Sequence, residues 1–285
     1  MAWLCDLHTH STFSDGTSTP RELFTQARQG GLDLIGLTDH DTTAGWEQAR
    51  EAARETGVGL MVGAEVSCAW RGVTVHMLSY LHDPLAPGLP ALFETIHASR
   101  RARVADMVER IGRDYPLTLA DVEAQAGEGV AIGRPHIADA LIAAGCFSHR
   151  NEVFATILHP ASPYYVRYCA PDPREVIETI TECGGVAVMA HPRPLSRQRR
   201  VVPAHVIASW RDVGLFGIEV DHPDHTREWR EALGVLTARY GLHRTGSSDF
   251  HGRGKTTTLG ENLTDWEVVE AIAERGRMDL VLPAT

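Results

Sequence analysis

Short apolar runs that finish on a histidine or a carboxylate recur along this chain, and amphipathic helical stretches ending in glycine lie between them. The candidate strands are residues 3–8 (WLCDLH), 34–39 (LIGLTD), 59–66 (GLMVGAEV), 73–81 (VTVHMLSYL), 185–192 (GVAVMAHP), 216–221 (FGIEVD), 242–249 (LHRTGSSD) and 278–283 (MDLVLP). Stretches 18–31, 44–57 and 172–185 read as helices, and the first has a Ser/Thr cap, Pro20 in its first turn and Glu22 just inside. A capping hydroxyl accepts an orphan helical amide, proline suits the first turn, and glycine ends the helix. Strand–helix alternation implies βα units and a mainly parallel sheet. The 285 residues suffice for one large α/β barrel or two modest domains. Residues 84–170 break the rhythm, because stretches 91–115, 118–127, 134–145 and 150–158 all read as helices. The expected organisation is a discontinuous barrel, residues 1–83 and 171–285, with an all-helical, substrate-capping insertion at 84–170.

Bulk composition narrows the function. Hydrophobic residues at 43% and charged residues at 22% describe an ordinary globular chain. A formal net charge of −10 argues against a nucleic-acid coat and against duplex DNA as a partner. The five cysteines have no C-x-x-C spacing, and their odd number suits buried thiols in a reducing compartment. There is no leader-like N-terminus, and no apolar run reaches the roughly 18–20 residues that cross a bilayer. The expectation is a cytoplasmic protein with no membrane and no obligate protein partner.

The polar residues at the strand ends carry the chemistry. They are Asp6, His8 and His10; Asp39, His40 and Asp41; Glu65; His76; His191; and Ser248, Asp249 and His251. The C-terminal ends of parallel barrel strands share one mouth, so groups spread along the sequence converge there. Residues i and i+2 of an extended segment face the same way, so His8 and His10 can grip one ion, and Asp249 and His251 can face one cavity. Neutral imidazoles with ionised carboxylates suit Zn²⁺, Mn²⁺ or Fe²⁺. Taken singly, each of these residues reads as a core histidine or a surface acid, as His82, His97, His149, His159, His205 and His243 do. Taken together, so many buried ionisable groups would be costly without a cation.

The ordered motifs DLHTHSTFSDGT, GLTDHDT, GAEVS, VHMLSY, MAHP and GSSDFH resemble the PHP (polymerase and histidinol phosphatase) superfamily over residues 1–83 and 185–260. That resemblance implies a distorted (β/α)7 TIM-like barrel with three divalent ions, Mn²⁺ first among the candidates. It implies that His8, His10, Glu65 and Asp249 hold one ion. Glu65 would bridge to a second, held also by His76 and His191, and Asp15, His40 and His251 would hold the third. Asp6 and Asp39 are expected to orient the histidine ligands.

Clustered divalent ions suit hydrolysis of a phosphate ester, with a hydroxide bridging the ions at Glu65 as nucleophile and the leaving-group acid unassigned. Candidate substrate contacts are Arg134 and His136 at a helix start, Arg197 in the run RPLSRQRR, His222, and Ser247 with Ser248. A solvated cap or loop is the plain alternative for the arginines. The segments GRPH and GIEVDHPDH resemble the nucleotide-directed members of the superfamily. This implies removal of the 3′-phosphate from nucleoside 3′,5′-bisphosphates, with 5′–3′ attack on short RNA as the neighbouring activity. The segment AHPRPL departs from the A-H-P-G-R-Y of many relatives, which leaves the contacts after His191 open. Histidinol phosphatase and a non-catalytic metal-binding docking module are the competing functions; the module would show missing ligands, and none is missing here.

Overall fold

Arg71 and Gly72 both take positive φ, 46° and 80°, and link two long strands directly. A two-residue loop with both φ positive is the tight hairpin turn whose twist matches that of the strands it joins. It forces antiparallel pairing, since a parallel crossover needs a dozen residues or more. The computed structural model describes residues 3–126, 132–167, 169–192 and 200–283. Its seven strands are β1 (Cys5–Thr9), β2 (Leu34–Leu37), β3 (Gly59–Trp70), β4 (Val73–Tyr80), β5 (Val186–Ala190), β6 (Leu215–Asp221) and β7 (His243–Gly246). They form one sheet in chain order. The pairs β1–β2, β2–β3, β5–β6 and β6–β7 are parallel, and β4 is antiparallel to both neighbours.

The reversed β4 corrects one step of the sequence reasoning. Its register sets His76 beside Ser67 on one side and Ala190 on the other. His76 thus reaches the mouth from the first half of its strand, because that strand runs the other way. Glu65 likewise lies in the middle of β3 rather than at its end. The segment 278–283 is not a strand of the sheet; Val281 only bridges Leu60, antiparallel.

The sheet's two ends meet through short contacts beyond β7. The His10 amide donates to Phe250 O (2.8 Å) and the Thr264 amide to Cys5 O (2.8 Å). Thr9 also forms a parallel bridge with Phe250. This is the distorted seven-stranded, TIM-like barrel.

Ten α-helices are seen among the described residues: α1 (Pro20–Gln29), α2 (Trp46–Thr56), α3 (Gly88–Ile111), α4 (Leu119–Glu123), α5 (Arg134–Ala143), α6 (Arg150–Ala155), α7 (Pro173–Glu182), α8 (Ala204–Trp210), α9 (Arg227–Tyr240) and α10 (Trp266–Ala273). In α1 Thr19 and Glu22 form a reciprocal capping box. The chain divides into two compact units, Met1–Phe93 with Pro171–Thr285, and Glu94–Ala170. The first unit has a core that includes Leu7, Phe24, Leu34, Leu60, Tyr80 and Val188. The second, all-helical, has its own, including Met107, Ile111, Ile137, Leu141 and Leu158. None of the described helices is long and apolar enough to cross a membrane.

Candidate metal centre

β1 carries His8 into the barrel and leads to His10, and both imidazole Nε2 atoms approach the same two oxygens. His8 Nε2 is 3.2 Å from Glu65 Oε2 and 3.5 Å from Asp249 Oδ1. His10 Nε2 is 3.1 Å and 3.4 Å from the same atoms, and the two nitrogens are 3.0 Å apart. Four donor atoms thus crowd around one point. The other Glu65 oxygen, Oε1, meets His76 Nδ1 at 2.6 Å and His191 Nε2 at 3.0 Å. On the outer side Asp15 Oδ1 lies 3.1 Å from His251 Nε2, and Asp15 Oδ2 lies 3.9 Å from His40 Nε2. His10 and His40 stand between groups: the close sets of ligand atoms are His8–His10–Glu65–Asp249, His10–Asp15–His40–His251 and His40–Glu65–His76. His191 joins through its contact with Glu65.

Two observations test whether this donor set suits divalent cations. The buried Nδ1 atoms of His40 and His76 have no hydrogen-bond partner. For His76 this holds although Glu65 Oε1 is 2.6 Å away. Two acceptors that close, and not aligned to donate, share a common target rather than each other. The charges agree. Burial raises the carboxyls of Glu65 and Asp249, yet the surrounding histidines, joined at Asp249 by Lys255, outweigh it and hold both well below the usual carboxylate range. His10 goes up to about 9, with burial opposing and Asp249 and Glu65 outweighing it. Burial drives His40 down to about 3 despite Glu65 and Asp15, so its imidazole is neutral and keeps a lone pair for a ligand bond. Ionised carboxylates packed among histidines are a site with a surplus of negative charge, and a divalent cation fits it.

The backbone is strained at this point. Positive φ at non-glycine residues occurs at Asp41 (53°), His191 (22°) and Asp249 (50°), besides Arg71 and Leu81. Such positions cost about 1–3 kcal/mol each and gather where surroundings over-determine them. At His191 the restraint is visible: its amide donates to Glu219 Oε2 at 2.8 Å.

Glu219 is the residue that sequence reasoning left without a role. It is buried on β6, its Oε1 lies 3.1 Å from His8 Nδ1, and it also accepts the Ser247 hydroxyl. It therefore holds one candidate ligand by the ring and another by the backbone, the task expected of Asp6 and Asp39. Its signal was present as a lone carboxylate inside the apolar run FGIEV.

Asp6 and Asp39 instead fasten main chain and hydroxyls. Asp6 accepts the Ser248 amide (3.0 Å) and hydroxyl (2.6 Å) and the Gly260 amide (2.8 Å). Burial lifts its carboxyl to about 6 against these bonds. Asp39 accepts the Ser11 amide (2.8 Å) and hydroxyl (2.6 Å) and the Ser14 hydroxyl (2.6 Å). Both pin ligand-bearing loops rather than imidazoles.

Several expected substrate contacts are corrected in the same way. Ser247 and Ser248 are buried with their hydroxyls committed to Glu219 and Asp6. His222 is buried too, with Nε2 3.3 Å from Asp249 Oδ2 and Nδ1 accepting the Asp224 amide at 3.0 Å. In the helical unit His136 Nδ1 accepts the Gly133 amide at 3.0 Å, closing the start of its own helix. Arg134 lies over the Phe154 ring at 5.5 Å and has no acidic partner among the described residues. Burial lowers its pKa, with the neighbouring Tyr165 opposing. Arg197, with Arg193 and Arg199, lies outside the described residues. A basic group not foreseen is Lys255, whose Nζ contacts Asp249 Oδ2.

The chain is similar to known proteins. The PHP domain model matches residues 6–128. A 5′-3′ exoribonuclease of Haemophilus influenzae is 32% identical over 90% of this chain and 93% of its own. A 3′,5′-nucleoside bisphosphate phosphatase of Chromobacterium violaceum is 32% identical over 88% of each. A crystal structure from Bifidobacterium adolescentis, described as a candidate metal-dependent phosphoesterase, superposes with a TM-score of 0.90 at 44% identity over 97% of both chains.

Proposed function

The chain belongs to the PHP family, and from that premise we propose that it is a metal-dependent phosphatase removing the 3′-phosphate of nucleoside 3′,5′-bisphosphates. Short 5′-phosphorylated RNA is the neighbouring substrate, since attack from the 5′ end breaks the same 3′ P–O linkage. The observation that carries the chemistry is the convergence of five imidazoles on the two oxygens of Glu65, those of His8, His10, His40, His76 and His191. The donors that would hold three divalent ions, Mn²⁺ first among them, are His8, His10, Asp15, His40, Glu65, His76, His191, Asp249 and His251. Such ions lower the pKa of coordinated water and neutralise charge on phosphoryl oxygens. Glu65 presents both oxygens, Glu219 fixes His8 and His191, and His40 stays neutral. The guanidinium of Arg134, which has no acidic partner among the described residues, is available to an anion, and a bisphosphate carries one more phosphate than histidinol phosphate does.

The test is phosphate release by Mn²⁺-loaded protein from a nucleoside 3′,5′-bisphosphate, with 5′-AMP, 3′-AMP, histidinol phosphate and a 5′-phosphorylated RNA oligomer in parallel. Turnover of the bisphosphate is expected, with KM raised about 10- to 100-fold by Arg134→Ala, the worth of a charge-assisted hydrogen bond. Mononucleotides appearing one by one from RNA would move the assignment to an exoribonuclease. Histidinol phosphate as sole substrate would overturn the nucleotide reading.

A further inference from the structure

Of the 27 basic residues in this chain, Lys255 alone is lysine. Every other cationic position is arginine, and the one exception contacts a carboxylate of the candidate metal centre. Lys255 Nζ lies against Asp249 Oδ2, with a quarter of the side chain exposed while Asp249 is buried.

The loop that carries it is held. Gly252 turns at φ 64°, and a Cβ there would fall 2.3 Å from Thr17 Oγ1, so the position takes only glycine. The Thr17 amide donates to His251 O at 3.1 Å, and the Arg253 amide donates to Thr17 Oγ1 at 2.8 Å. The backbone leading to Lys255 is thus tied to the loop that supplies His10 and Asp15.

Lys255 helps to hold the Asp249 carboxyl below the usual carboxylate range, but it is not the only positive neighbour. His8 and His10 lie 3.5 and 3.4 Å from its Oδ1, and His222 lies 3.3 Å from its Oδ2. A divalent ion at the same carboxylate would supply still more positive charge. The ammonium has three donors, and among the described residues Asp249 is its one partner. That leaves donors for a further acceptor, and a quarter of the side chain is open to solvent. Lysine is a compact point charge that can change one oxygen partner for another; the arginine fork demands a planar, bidentate partner.

We propose that Lys255 is a substrate-binding residue of this centre, whose ammonium takes a non-bridging oxygen of the substrate phosphoryl group; the proposal rests on the phosphoesterase reading above. No bond is made or broken at Lys255. It positions the phosphoryl group beside the carboxylate and imidazole ligands and offsets its charge.

The lone lysine makes the test clean. Mn²⁺-loaded full-length protein is treated with a limiting amine-acetylating ester, with and without inorganic phosphate, and acetylation is read by mass spectrometry at Lys255 and at the N-terminal amine. Phosphate should slow acetylation at Lys255 about tenfold and leave the N-terminal amine unaffected, the scale of one charge-assisted hydrogen bond. Lys255→Met should keep its bound manganese and weaken phosphate affinity about 10- to 100-fold, and Lys255→Arg should recover part of that loss. Unprotected acetylation, or Lys255→Met binding phosphate as the native protein does, overturns the proposal. So does loss of manganese in Lys255→Met, which makes the lysine a structural partner of Asp249. Protection without turnover of any phosphate ester overturns the phosphoesterase reading and leaves the anion contact standing. Turnover without protection overturns the contact alone.

Discussion

Two regions of the barrel unit bury histidine, and they treat it in opposite ways. At the mouth, His8 is fully buried, yet Glu219, Glu65 and Asp249 outweigh the burial and lift its pKa well above the ordinary value. Behind β4, His82 is as deeply buried, packs its ring 4.8 Å from that of Trp46, and has only the Ser79 hydroxyl at 2.8 Å on Nδ1. Its Nε2 has no partner, and burial takes its pKa down to about 4. Burial alone therefore does not say what a histidine is for. The carboxylates around it do: where they converge and outweigh burial the site suits a cation, and where they do not outweigh it the ring stays a neutral core side chain.

The largest effect should come from breaking the convergence itself. Glu65→Gln keeps the shape and removes the charge that five imidazoles approach. Bound manganese, measured by elemental analysis of Mn²⁺-loaded protein, should fall, and phosphoesterase activity should drop by more than about 100-fold, beyond the range for residues that only support a ligand. Full metal content in this variant would mean that Glu65 is not the hub.

His82 sharpens the other side of the comparison through pH. Its folded pKa lies below the unfolded value of 6.5, so between about pH 6.5 and 4 the unfolded chain binds the extra proton. Stability from this residue is therefore lost as pH falls through that window, by roughly 3 kcal/mol in all. Asp6 acts in the opposite sense. Its folded pKa, raised from 3.8 to about 6, makes the folded state the better proton acceptor, so it adds stability as pH falls from 6 to 3.8. In denaturant titrations between pH 7 and 4, His82→Gln should lose less stability on acidification than the native protein. An unchanged slope would show that His82 protonates freely in the folded state.

Glu219→Gln comes next, because it supports two ligands without being assigned as one. A loss of about 10- to 100-fold in metal affinity or activity is expected, the usual result when the partner of a ligating histidine is removed. Metal titration of the variant distinguishes this from loss of fold, and native-like affinity would leave His8 and His191 held by their other contacts.

The difference between the two regions also explains what could be read from the sequence. The nine candidate ligands stand in short motifs of polar residues, and such motifs are visible because polar residues interrupt strands for a reason. The strand–helix alternation was legible from helix caps, such as Thr19 with Glu22, and from glycine stops, whereas the count of seven strands came from the family resemblance. Glu219 was hidden because it is a single acid within an apolar strand, and only the fold sets it beside His8 and His191. The direction of β4 was hidden too; the Arg71–Gly72 turn encodes it, but the apolar pattern of VTVHMLSY is the same in either direction. Ser247 and Ser248 were misjudged because a hydroxyl beside a ligand serves an incoming phosphate or a buried carboxylate equally well on paper, and the structure gives both to carboxylates.

The smallest effect tests whether the neutral histidine depends on its one partner. Ser79 pairs with Ala64 on β3 and Ala187 on β5, so its backbone is fixed by the sheet whatever its side chain. Ser79→Ala removes only the hydroxyl and leaves both nitrogens of His82 without a side-chain partner. A buried polar atom left unsatisfied costs about 1–3 kcal/mol, so a loss near the lower end is expected at pH 7, measured by denaturant unfolding. Metal content and activity should not change, since neither Ser79 nor His82 touches the centre. A fall in bound manganese in this variant would join the two regions and remove the distinction drawn between them.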